Sequence, residues 1–206
     1  MNCPKVRFSS YNDDWKEVNL KDAFTYFSTN SFSRDQLSNY GTIKNIHYGD
    51  IHRKFSNIVN VQRDVDTYIK DTNFINKYDI CKDGDLIFAD ASEDYEGIGK
   101  AIELFNVDCD TISGLHTIMV RDTNNIFAPK FKGYYFNSPV IHNQIRIMAN
   151  GFKVYGISKD SISRIIAKIP SYEEQIKISN TLELLDKKIT LQTNKVSNLK
   201  LYKKGV

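Results

Sequence analysis

The sequence predicts an α+β protein: a mixed α/β domain over residues 1–169, followed by a long C-terminal coiled-coil helix over 170–206. Three observations point there. Residues before Pro170 break into short apolar, β-branched runs separated by Gly-Asp and Asp-Gly punctuation, the pattern of strands and turns. Pro170 then closes the last such run. Beyond it, Ser171 to Lys204 holds no glycine or proline and carries apolar residues at helical spacing, as a continuous helix requires.

Taken in order, Trp15–Leu20 reads as a strand leading into a short helix over Lys21–Phe27, and Thr42–His47 alternates weakly before breaking at Gly49-Asp50. Asp85–Asp90 is a compact apolar strand after the Asp83-Gly84 turn, and Lys100–Phe105 and His116–Arg121 look like further strands, since branched and apolar side chains suit half-buried sheet positions. A short helix is expected over Pro129–Phe136. Another opens with Ser138 as N-cap and Pro139 at the first helical position; Ile141, Ile145 and Met148 recur along it and Gly151 ends it. Phe152–Ile157 returns to strand character, and Ile165–Ile169 is the last strand.

In the C-terminal segment, Ser171 and Glu174 have the spacing of a capping box. Ile178, Leu182, Leu185, Ile189, Gln192, Val196 and Leu199 then recur at gaps of 4 and 3, the seam of a coiled coil with one polar member. Such a helix is about 50 Å long, more than the preceding domain can cover, so the seam is expected to pair with another helix.

Hydrophobic content of 41% and charged content of 26% are those of a globular protein. No apolar run reaches membrane-spanning length and the start, Met1–Lys5, has no signal-peptide core, so the expected location is the cytoplasm. Cys3, Cys81 and Cys109 are odd in number and lack C-x-x-C spacing, which argues against a disulfide framework or zinc site. The net charge of +3 is modest but unevenly placed. Acids, including Asp83, Asp85, Asp90, Glu93, Asp94 and Glu96, dominate Asp64–Asp110. Thr123–Lys159 holds none, and there Lys130, Lys132, Arg146, Lys153 and Lys159 alternate with Phe131, Tyr134, Tyr135, Phe136, Phe152 and Tyr155. Such a stretch suits a phosphate-contacting surface. The alternative is a core helix pair with a solvated basic face.

Enzymatic motifs are poor matches. His47, Asp50 and His52 sit on one short segment, a lax metal set. Gly97-Ile98-Gly99 lacks the third glycine of a dinucleotide loop. Asp94, Glu96 and Lys100 lack a nuclease's Glu-x-Lys spacing, and no nucleophile–base set stands out.

The run Pro170-Ser171-Tyr172-Glu173-Glu174-Gln175, with Ile178, Leu182, Leu185-Asp186 and Ile189 beyond it, resembles the helical conserved region of type I restriction–modification specificity subunits. Tyr172 stands where leucine is usual. Pro4–Phe8 with Trp15, Asn45–Ile51 and Gly84–Phe88 are also similar to that family, so the resemblance covers nearly the whole chain. It implies a target-recognition domain followed by a spacer helix. Full-length members carry two such units, and here there is one. The resemblance also implies a non-catalytic chain that reads a bipartite site on double-stranded DNA. Its partners would be a modification subunit that uses S-adenosylmethionine, a restriction subunit that uses ATP and Mg, and a second copy of itself or a different half-subunit.

Under that reading the candidate DNA-binding residues are His47, Tyr48, His52, Arg53 and Lys54 around the first Gly-Asp motif, Ser92, Tyr95 and Lys100 around the second apolar strand, and Arg146, Asn150, Lys153 and Tyr155 in the acid-free stretch. These types donate, accept or stack as base and phosphate contacts require. Ile178, Leu182, Leu185, Ile189, Gln192, Val196 and Leu199 are the candidate dimer interface. Two other classes stay open: a small metal-dependent nuclease with a dimerisation helix, and a protein-only coiled-coil adaptor.

Overall fold

The computed structural model describes residues 6–73, 75–151 and 153–205; Cys3, Pro4, Lys5 and Phe152, named above, lie outside them. The order of elements is β1 (Lys16–Asn19), α1 (Leu20–Ala23), β2 (Thr25–Phe27), β3 (Leu37–Ser38), β4 (Lys44–Ile46), α2 (Tyr48–Arg53), β5 (Ile58–Asn60), α3 (Val61–Asp64) and β6 (Tyr68–Ile69). Then come β7 (Leu86–Ala89), β8 (Ala91–Ser92), β9 (Ala101–Phe105), β10 (Thr111–Ser113), β11 (Thr117–Arg121), α4 (Phe131–Tyr135), α5 (Pro139–Met148), β12 (Tyr155–Gly156), α6 (Lys159–Ser163), β13 (Ile166–Ile169) and α7 (Tyr172–Lys204).

A five-stranded sheet in the order β2-β11-β7-β9-β5 divides the domain. It is antiparallel except for the β9–β5 pair. Successive side chains on a strand point to opposite faces, and here both faces are covered. Leu86, Phe88, Ala101, Ile118 and Val120 face a core built with α4, α5 and α6, whereas Ile87, Ala89, Ile102, Leu104 and Met119 face a second core that includes Ile51 of α2 and Val61 of α3. Burial on both faces is why β7, β9 and β11 read as apolar runs and not as strict alternations. A four-stranded sheet, β10-β4-β6-β3, covers a smaller cluster of Leu37, Ile43, Ile69 and Ile112.

Two charged residues in this interior act as struts. Asp85 is fully buried and accepts from Arg121 Nε and Nη2 at 2.6 and 2.7 Å, tying the end of β7 to β11. Glu103, buried in β9, accepts the backbone N–H groups of Lys130 and Gly133 at 2.8 and 2.9 Å and pairs with Lys132 at 3.0 Å. It thereby satisfies the open donors at the start of α4, where a helix favours negative charge.

Several local expectations are corrected. The helix foreseen over Lys21–Phe27 is one turn, α1, because Thr25–Phe27 joins the sheet beside β11. Gly49-Asp50 lies inside α2, whose first turn is capped by the His47 side chain accepting from Gly49 N at 3.0 Å. Ser138 has N-cap backbone angles but makes no capping side-chain bond. Helix α5 stops at Met148, so Gly151 (φ +133°) serves the following turn, where an added Cβ would meet Val154 O at 2.0 Å. Helix α6, not anticipated, is capped by Ser158 accepting from Ser161 N at 3.0 Å.

Helix α7 is 33 residues long, about 50 Å. Only half of the expected capping box is present: Ser171 accepts from Glu174 N at 3.3 Å, but the Glu174 carboxylate does not reach back. It is fully buried and takes Arg7 Nε and Nη2, both at 2.7 Å. Gln175 beside it is also buried; its carbonyl accepts from Ala128 N at 2.8 Å, and its amide donates to Ile126 O and Pro170 O, each at 3.2 Å. Tyr134 and Lys130 hold the next turns through Asp186 and Glu183, at 2.8 and 2.9 Å. Ile178 and Leu182 are half-buried against the domain, whereas Leu185, Ile189, Val196 and Leu199 are 49, 63, 50 and 58% exposed. The seam is thus covered at its start and open beyond.

Gly133 lets α4 approach the start of β5: a Cβ there would lie 2.4 Å from both Asn57 O and Ile58 Cδ1. Alanine favours helices by about 1 kcal/mol over glycine, yet the clash includes a backbone carbonyl that cannot swing away. Gly133→Ala is therefore expected to lower stability by about 1–3 kcal/mol, read as a fall in the urea midpoint with an unchanged slope.

Candidate nucleic-acid interface

Residues from the three candidate segments gather on one side of the domain. His52 Nε2 lies 2.9 Å from Ala91 O, tying α2 to β8. Strand β8 pairs with β12, Ser92 opposite Tyr155. The Tyr95 ring lies 5.2 Å from that of Tyr155, and its hydroxyl donates to Arg146 O at 3.0 Å. Asn150 closes the turn into β12 by exchanging backbone bonds with Gly156, at 3.0 and 2.7 Å.

Within this assembly the candidates divide. Tyr48 and His52 are partly exposed, and Arg53, Lys54, Tyr95, Asn150 and Lys153 are exposed. Tyr48 is ringed by His47, His52 and His116, with centroids at 4.7, 6.3 and 5.2 Å. His116, which sequence reasoning missed, sits half-exposed on a left-handed backbone (φ +55°), its Nδ1 3.3 Å from Asp90 Oδ1. Nothing local in the sequence singles it out; the tight turn before β11 brings it there. Burial raises the Asp90 carboxyl above its ordinary range, and His116 opposes that shift.

Other candidates turn inward in the single chain and make contacts within it. His47 is buried and spends Nδ1 on the cap of α2. Ser92 is buried and accepts from Asp94 N at 3.2 Å. Lys100 is half-buried and donates to Phe55 O and His52 O at 3.1 and 3.4 Å, placing a cation on the carbonyl end of α2; burial lowers its pKa. Arg146 is engaged by Glu96 and Asn143 and so holds the 93–96 loop against α5.

Much of the acid-free stretch follows the alternative reading, a core helix pair. Phe131, Tyr135 and Phe136 are core, Lys132 is buried against Glu103, and Lys130 and Tyr134 grip α7. Acids from elsewhere in the chain thus fold back onto its cations. The lax metal set is likewise dispersed: His47 faces Gly49 N, His52 faces Ala91 O, and Asp50 accepts from Arg34 at 3.0 Å and Thr67 at 3.3 Å. Among the described residues no helix is long and apolar enough to cross a membrane.

The remaining exposed face offers donors (Arg53, Lys153), a two-way amide (Asn150), acceptors (Glu93, Asp94) and aromatic edges (Tyr48, Tyr95). Such a mixed set is suited to base edges as well as phosphates.

The His47 pKa is lowered, first by burial and then by the Arg34 cation, with Asp50 opposing. The unfolded chain therefore binds a proton at higher pH than the folded one, and stability is lost as pH falls from about 6.5 through the lowered folded value. His142, also lowered by burial, acts in the same sense. The unfolding temperature is expected to drop between about pH 7 and pH 5. His47→Asn, which keeps an acceptor for Gly49 N, should drop less, and an identical pH profile in the variant would contradict the assignment.

A family model described as the type I restriction modification DNA specificity domain matches residues 12–201. The chain is similar in fold to the type I restriction–modification S subunit from M. genitalium (TM-score 0.57, 13% identity, 93% of this chain and 44% of that one). It is also similar to the HsdS subunit from Thermoanaerobacter tengcongensis (0.52, 12%, 92% and 41%). A chain from a study of complex assembly and conformational transition in the type I R-M system matches at 0.57 and 12%, with 93% and 42% covered. The chain thus spans less than half the length of each of these structures. No curated protein matches it. With the match running from before β1 almost to the end of α7, the chain belongs to the type I restriction modification DNA specificity domain family.

Proposed function

We propose that the chain is the DNA-recognition part of a type I restriction–modification assembly and reads a bipartite site as a dimer. Residues 1–169 form the recognition domain and 170–206 the dimerisation and spacer helix. The chain itself performs no chemistry: a modification subunit methylates adenine, and a restriction subunit cleaves. The observation that carries the dimer is the seam from Leu185 to Leu199, left exposed on a helix whose base is fixed to the domain. Burying such side chains contributes about 1.5–3 kcal/mol each.

Charge supports an antiparallel pair. Residues 187–204 hold six lysines and no acid, whereas 172–186 hold Glu173, Glu183 and Asp186 besides the buried, Arg7-paired Glu174, against Lys177 alone. A parallel pair would set the lysine-rich halves side by side; an antiparallel pair sets each beside the acidic half of its neighbour. Centred on Ile189, it places Ile178 opposite the second copy's Leu199, Leu182 opposite its Val196 and Leu185 opposite its Gln192.

Two measurements test this reading. Adenine-methylation mapping in cells holding this chain as the sole specificity subunit, with its modification subunit, is expected to show two inverted half-sites and one fixed spacer, because a two-fold protein imposes inverted half-sites. An asymmetric motif would instead indicate a different half as partner. On the recognition face, Arg53→Ala and Lys153→Ala are each expected to weaken binding by the assembled enzyme and to lower the salt slope by about 0.9 per lost phosphate contact. Unchanged slopes in both would move the DNA elsewhere.

A further inference from the structure

We infer that the cleft between the N-terminal segment and α7 is the seat of the last turns of a second copy's α7. The inference rests on the dimer proposed above and extends it from the helix seam to the domain. The cleft is about 230 Å³ and mostly apolar, walled by Val6, Phe8, Trp15, Ile178 and Leu182, with Thr181 and the Arg7–Glu174 ion pair also lining it. Val6, at its rim, is 89% exposed.

Position selects the occupant. With the antiparallel pair centred on Ile189, the second copy's helix ends level with Glu174, so its last turns come alongside the cleft without running into the domain. Flank selects it too. The cleft opens on the side of α7 that carries Glu174 and Thr181, seven residues apart. Continuing by sevens, that flank carries Lys188, Lys195 and Tyr202. A two-fold axis across an antiparallel pair brings like flanks together, so the second copy's Tyr202 and Leu199 arrive at Phe8, Trp15 and Ile178. Both are exposed in the single chain, at 76 and 58%. Its Lys203 and Lys204 come level with Glu173, which is exposed. Apolar end and apolar cleft thus coincide at one place, twice per dimer.

Trp15 is the sole tryptophan of the chain and lines the cleft, so tryptophan emission comes from that one position. Light scattering and fluorescence are read together on the full chain across a concentration series. The expected result is a shift of Trp15 emission to shorter wavelength in step with dimer formation. In Tyr202→Ala the shift is lost or reduced while the dimer mass persists at high concentration. A dimer whose Trp15 emission is the same in the wild type and in Tyr202→Ala overturns the seat and leaves the dimer standing. So does a shift that depends on residues 1–5 and not on Tyr202. A strict monomer at all concentrations overturns both.

Discussion

The direction of the long helix depends on two polar side chains buried under its first turn. Glu174 and Gln175 sit where an apolar pair would pack well, and each is fully served. The carboxylate has a two-point contact with Arg7, and the amide has one donor and two acceptors from three separate backbone positions. Apolar packing tolerates small slides and rotations. A buried carboxylate that loses its partner does not, because the unpaired charge costs several kcal/mol, and an orphaned buried amide costs about 1–3 kcal/mol. Such contacts convert a greasy joint into a keyed one. On a helix about 50 Å long, a tilt of about 5° at the base moves the far end by about 4 Å, so a keyed joint is what makes a long helix useful as a spacer.

The same economy of charge runs through the domain. Asp85, Glu103 and Glu174 are acids with almost no exposure, each with a cation from a distant part of the chain: Arg121, Lys132 and Arg7. Glu103 and Lys132, like Glu96 and Arg146, come from the acid-rich and acid-free stretches respectively, so the charge segregation seen along the sequence is partly cancelled in space. What remains on the candidate face is a modest, mixed set of polar groups and not a basic plate. Weak general attraction with specific donors and acceptors favours discrimination among sequences, since phosphate contacts add affinity without carrying sequence information.

How much of this was legible follows from where the information lies. Strands β7, β9 and β11 were, because burial on both faces writes itself as apolar runs such as Leu86–Ala89. Helix α7 was, because 33 residues of heptad spacing need no tertiary context to be seen. The start of α5 was visible in Ser138-Pro139, although the serine does not cap. Among the short helices α4 was, from Pro129–Phe136, but two were not: α2 depends on an imidazole cap from His47, and α6 on Ser158 between two runs of strand-like composition. The candidate face was legible as three segments but not as a residue set. Which of its cations point outward depends on partners far away in sequence, as Glu96 is for Arg146 and the carbonyls after α2 are for Lys100. His116 reaches the face through the left-handed turn before β11, and no local pattern announces that.

The keyed joint and the open seam together bear on how two half-sites can be read at once. Once one recognition domain is bound, the second binds at an effective concentration set by the link between them, greatest when the span matches the site and lost when geometry forbids it. A flexible link would allow many spacers, each at an entropic cost. A helix held at its base by Arg7–Glu174 and Gln175 concentrates that probability on one separation. In the proposed dimer the two joints stand at opposite ends of one helix pair, so tilting either domain strains contacts at both ends. Under that proposal, discrimination by spacer length comes from buried polar geometry far from any base, and the candidate face is free to change its side chains without altering the distance at which its partner reads.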